Sequence, residues 1–194
     1  LVLLLALTAV GDDLPPGVVN TQDPADVSLS PEETLRLITV PKGFEVTLFA
    51  GEPDIRRPLA FDFDNRGRLW VVENYAHPEW DPQRRVDRFV ILEDADGDGQ
   101  FDRRTIFWDQ GRFLTGIAYG FGGIFLCDGP ELIFLADADR DDRPDGRPEV
   151  LLDGWSLENL NNLPNHLTWA PDGWLWGCVG VGSLSQVGRP GATP

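Results

Sequence analysis

Acidic residues and two histidines are where this sequence can do chemistry. Asp94, Asp96, Asp98 and Asp102 fall in the run DADGDGQFD, with Gln100 between the last two. Forty-three residues on, DADRDDRPD repeats the pattern with Asp137, Asp139, Asp141 and Asp145. Calcium takes several hard oxygens in a flexible cage. The first run offers carboxylates at its first, third, fifth and ninth places, a backbone carbonyl at Gln100, and Gly99 for a sharp turn. The glutamate that closes an EF-hand at the twelfth place is missing, since Thr105 stands there. The expectation is therefore a DxDxDGxxD calcium loop of the kind found in β-rich extracellular proteins. The second run has Asp142 where the glycine should be, and Pro144 inside it. The competing reading of both is an acidic hairpin turn without metal, using Asp and Gly for backbone reasons. In either case the role is structural.

Histidine transfers protons near neutral pH. His166 stands in SLENLNNLPNHLTWAPDG, beside Asn165 and close to Asn162, at the start of a strand. His77 stands in VVENYAHPEWDP, where Glu73, Asn74, Tyr75 and His77 leave a strand together. These groups form a ligand-facing rim or, equally, a proline-rich loop of solvated polar side chains. No GxSxG elbow, phosphate loop or HExxH motif occurs in the sequence.

Short alternating strands must position these residues. DNRGRLWVVEN, YGFGGIFLCDG and APDGWLWGCVG share one scheme: a polar or glycine-rich turn, then an aliphatic–aromatic pair. Aligned on Gly67, Gly122 and Gly173, they recur at 55 and 51 residues. Such periods, built from short strands, mark a β-propeller. Each acidic run is then the turn of an outer hairpin, Arg88–Leu92 returning as Arg104–Trp108 in the first copy. The expected fold is all-β: about three blades over residues 41–194, from a propeller that is six-bladed when complete. A short helix over 30–40 precedes it, since Ser30 caps, Pro31 suits the first turn and Glu33 completes a capping box.

The leading residues read differently. LVLLLALTAV is too short to span a bilayer and matches the apolar core of an export signal, so 1–11 is taken as a signal remnant. Residues 12–29 read as a linker. The absence of methionine and the start inside an apolar run suggest a piece of a longer or processed protein. A formal charge of −16 argues against nucleic acid and anionic lipid as partners. Cys127 and Cys178 lie in apolar runs without metal-site spacing, which predicts buried free thiols.

VPKGFEVTLFAGEPDIRRPLAFDFDNRGRLWVVEN and LTWAPDGWLWGCVGVGSLSQVGRPG together resemble a family of exported bacterial proteins, common in planctomycetes and labelled membrane-bound dehydrogenases. The resemblance covers about residues 30 to 190. It implies kinship with glucose/sorbosone dehydrogenase propellers, which use pyrroloquinoline quinone (PQQ) and calcium. It also implies a downstream cytochrome c domain in larger members. The family's catalytic base falls at Asn161 or Asn162 here, and asparagine cannot accept a proton in that role. His166 becomes the candidate base, with Asn162, Asn165 and Arg112 as cofactor-binding residues. Arg112 is included because guanidinium pairs with carboxylates bidentately; the competing reading is a surface arginine. The leading expectation is an exported propeller, periplasmic or extracellular, that oxidises a sugar or alcohol. The alternative is a calcium-stabilised, inactive propeller that binds glycan or protein. A weaker one is a lactonase-type hydrolase with a metal held by Glu73 and Asn165.

Overall fold

A computed structural model describes residues 28–182 and 184–192. The apolar block at 1–11, and the linker as far as residue 27, lie outside the described residues. The chain divides into two compact units at Thr39/Val40. The first holds helix α1 (Pro31–Leu37), whose start follows the sequence cue. The Ser30 hydroxyl accepts the Glu33 N–H at 3.1 Å, and the Glu33 carboxylate accepts the Ser30 N–H at 2.9 Å. The helix ends sooner than residue 40, because Ile38 is already extended.

The second unit is β-rich, with three antiparallel sheets. Sheet one is the meander β1 (Pro58–Phe63), β2 (Leu69–Glu73), β3 (Asp87–Glu93) and β4 (Arg103–Gly111). Sheet two repeats it with β5 (Leu114–Gly120), β6 (Gly123–Asp128), β7 (Glu131–Ala136) and β8 (Glu149–Leu152). Sheet three pairs β9 (Asn165–Trp169) with β10 (Leu175–Cys178). The three aliphatic–aromatic pairs all fall at the start of the second strand of a sheet. Gly67, Gly122 and Gly173 close the turns before them with φ of +79°, +74° and +83°, a region that favours residues without a Cβ.

Trp70, Val72 and Phe89 of sheet one bury themselves against Leu114, Ile117, Ile124 and Leu126 of sheet two. The Trp70 ring lies 5.1 Å from Phe89, 5.0 Å from Phe107 and 5.7 Å from Tyr119. A side chain of this size removes roughly 200 Å² from water, worth about 5 kcal/mol. Val71, Val90 and Leu92 bury the opposite face of sheet one under Phe49, Ile55 and Phe101. This is why β2 reads as a nearly continuous apolar run.

The first strands of the sheets lie side by side, β5 between β1 and β9. Tyr119 N donates to Asp62 Oδ2 at 2.8 Å, and Trp169 Nε1 donates to Tyr119 O at 2.8 Å. Antiparallel pairing puts the β1–β2 turn and the β3–β4 loop at one end of a sheet. The β2–β3 connection, and the start of each first strand, are at the other end.

Candidate functional site

A cavity of about 1160 Å³ opens where β1, β5 and β9 begin. Its wall brings together both histidines of the chain, His77 from the β2–β3 connection and His166 from β9. Arg57, Asn74, Asn161 and Asn165 join them, with Trp80 and Phe61 as aromatic surface. Arg57, Trp80 and His166 have φ of +47°, +47° and +52°. Each such backbone costs roughly 1–3 kcal/mol and persists only where the surroundings over-determine it.

Those surroundings can be named. Asn74 is buried; its Nδ2 donates to Leu114 O at 3.1 Å and its Oδ1 accepts His77 N at 3.0 Å. Asp87, fully buried at the start of β3, accepts Tyr75 N at 2.6 Å and Ala76 N at 2.7 Å. Its second oxygen accepts Leu114 N at 2.9 Å. One carboxylate thus ties the wall loop to the neighbouring sheet. Burial pushes its pKa up to about 6 against those three N–H groups, and the nearby Asp128 charge adds to the rise. The His77 and Trp80 rings meet edge to face at 5.6 Å. The His166 imidazole has no hydrogen-bond partner among the described residues.

The sequence candidates separate here. His166 and Asn165 line the cavity; Asn165 Nδ2 donates to Leu163 O at 3.0 Å. Asn161 also faces it, whereas Asn162 does not. A turn of 3-10 helix (Leu160–Asn162) directs Asn162 away, and its Nδ2 donates to Val181 O at 2.6 Å. Arg112 is not part of the wall: its guanidinium lies 3.7 Å from Glu131, and its N–H donates to Asp128 Oδ1 at 2.7 Å. Glu73 is buried elsewhere, accepting Arg56 N at 2.9 Å and the Arg104 guanidinium at 2.8 Å. Sequence reasoning missed Arg57 and Trp80, for which no local motif exists. Cys127 is buried, its thiol pushed up to about 12 by that burial, but Cys178 is exposed, contrary to expectation. The reason is that β10 pairs only with β9 among the described strands.

The acidic loops lie at the opposite end of the sheets. Carboxylate oxygens of Asp94, Asp96 and Asp102 approach within 4.8 Å of one another, as do those of Asp137, Asp139 and Asp141. Two oxygens on opposite sides of a calcium ion sit about 4.6–5.2 Å apart, so both spacings suit one cation. Asp98 caps the Gln100 N–H at 2.8 Å, and Asp145 caps the Ala138 N–H at 2.7 Å. Asp142 faces neither group. Arg68 grips it with two bonds of 2.7 and 2.8 Å, and the same guanidinium holds Asp64 at 2.8 Å.

No described helix is long and apolar enough to cross a membrane. No curated protein matches the chain. Residues 30–191 match a family described as a domain of unknown function (DUF7133), covering both the cavity and the acidic loops. The chain belongs to that family.

Proposed function

We propose that the three sheets are blades of a β-propeller and that their shared cavity binds a small hydroxylated ligand, a sugar or an alcohol. The observation that carries this reading is the convergence on one cavity of His77, His166, Arg57 and Trp80, three of which (His166, Arg57 and Trp80) have left-handed backbone. Amide groups of Asn161 and Asn165 suit hydroxyls, and Trp80 with Phe61 suits the apolar face of a sugar ring. Two further features favour a propeller. The first strands stand side by side, and apolar residues outside the cavity stay exposed on β1 (Phe63) and around β10 (Trp174, Trp176), where neighbouring blades would seat.

Calcium belongs to this reading as a rim clip, held by Asp94, Asp96 and Asp102 in one loop and by Asp137, Asp139 and Asp141 in the other. It would offset carboxylate repulsion far from the cavity. Export, inferred from the apolar block, would supply a calcium-rich setting.

PQQ fits the described wall poorly. A tricarboxylate calls for several cations, and Arg57 is the one the described wall offers. Arg112 faces Glu131 instead, and Asn162 is bonded to Val181 O. The dehydrogenase reading, with kinship to the quinone-dependent propellers, rests on His166 as a base with an open imidazole.

Calorimetric titration with sugars and polyols tests the proposal. Saturable heat with at least one of them, lost in Trp80→Ala, is the expected result. No heat from a chain shown to be folded would reject it. Dye reduction on adding PQQ, abolished in His166→Ala, would establish the dehydrogenase reading in its place.

A further inference from the structure

Resting on that reading, we propose that Arg57 is the anion-reading residue of the cavity and that its ligand carries one carboxylate besides its hydroxyls, as a sugar acid does. Arg57 precedes Pro58, a position that pushes a residue towards extended backbone, yet its φ is +47°. Three bonds hold it there. Arg56 N donates to the buried Glu73 carboxylate at 2.9 Å, Asn74 N donates to Arg57 O at 3.2 Å, and Arg57 Nη1 donates to His77 O. The bond to His77 O places the guanidinium at the cavity wall.

A guanidinium has five N–H donors. His77 O takes one, and among the described residues no carboxylate pairs with Arg57. Arg66, Arg68, Arg85, Arg103, Arg104 and Arg112 face acidic partners, whereas Arg57, like Arg56, Arg84 and Arg143, does not; what sets Arg57 apart is its place on the cavity wall. The acid of the described wall, Asp62, lies on β1 and makes no ion pair with Arg57. Both Asp62 oxygens already accept N–H groups, from Phe63 and Tyr119 at 2.8 Å each. Arg57 is thus a solvent-exposed fork at the cavity wall, with donors left over to hold a carboxylate by two parallel bonds. With one cation, the wall matches one carboxylate better than a phosphate dianion.

The test is calorimetry with D-glucuronate, D-glucose and glucose 6-phosphate on the whole chain and on Arg57→Gln and Arg57→Lys. Glucuronate should bind roughly tenfold tighter than glucose, the gain of a charge-assisted bidentate bond. The ratio should collapse towards one in Arg57→Gln and stay intermediate in Arg57→Lys, which keeps the charge and loses the fork. Equal binding of glucuronate and glucose, a ratio unchanged in Arg57→Gln, or tighter binding of the phosphate would overturn this inference alone. Binding of none of the three would overturn it together with the sugar-binding reading.

Discussion

The two acidic loops share a backbone and differ in how they use charge. Gly97 and Gly99 of the first have φ of +80° and +86°; Arg140 and Asp142, at the same places in the second, have +61° and +67°. The left-handed turns survive the loss of both glycines. What changes is the side chain that the second copy gains. Asp142 leaves its loop to join the buried Arg68 and Asp64 of sheet one. The first loop is held to the segment at Phe49 through Phe101, whereas the second fastens one sheet to the next. Repeated sequence therefore does not mean repeated work.

Removing the fastener should have the largest effect. Arg68→Ala leaves Asp64 without a cation and Asp142 with only Arg66 at 3.6 Å, and breaking a buried pair costs about 3–5 kcal/mol. Urea unfolding should show that loss, and a loss near zero would mean the sheets do not depend on this contact. A reciprocal exchange comes next. Asp142→Gly forfeits two charge-assisted bonds, about 1.5–3 kcal/mol, offset by about 1 kcal/mol of relieved backbone strain. Gly99→Asp has no arginine to meet and finds open space, its nearest neighbour being Thr47 Oγ1 at 3.9 Å. It should cost about 1 kcal/mol or less, because aspartate tolerates this region. Equal costs for the two exchanges would erase the distinction between the loops.

The smallest signal is electrostatic and carries a sign. Asp137 has its pKa raised above 3.8, by burial first, with the charges of Asp142, Asp141 and Asp139 adding. Its contribution favours the fold below pH 3.8 and is lost as pH rises through the raised value. At neutral pH its charge is a cost. Asp142 is lowered, by its bond to Arg68 foremost, so its contribution is present above pH 3.8 and lost as pH falls through the depressed value. Asp137→Asn should then stabilise the chelator-treated chain at neutral pH, by up to about 1 kcal/mol. Calcium should raise the melting temperature of the native chain more than that of the variant. Melts with calcium and with chelator, at neutral and acid pH, check both signs.

Local chemistry made much of this fold legible. Gly67, Gly122 and Gly173 marked equivalent turns because each must adopt positive φ, and the aspartate runs marked hairpin turns because Asp and Gly favour them. The cavity was only half legible. His166 and Asn165 were found by their place before a strand. Asn161 and Asn162 are neighbours in sequence, but a single 3-10 turn sends one to the cavity and the other to Val181. Arg57 and Trp80 carry no signal, since Asn74 and His77 fix the first and Phe113 packs against the second, from other parts of the chain. Arg112 matched Arg57 in chemistry, yet Glu131 took its guanidinium.

The single carboxylate of Asp87 holds the backbone of Tyr75 and Ala76, between the wall residues Asn74 and His77, and that of Leu114 in the adjoining sheet. The wall cannot swing away without loosening the joint between sheets, nor the joint part without disturbing the wall. Motion of the loop between β2 and β3 and separation of the two sheets are therefore coupled through one buried carboxylate.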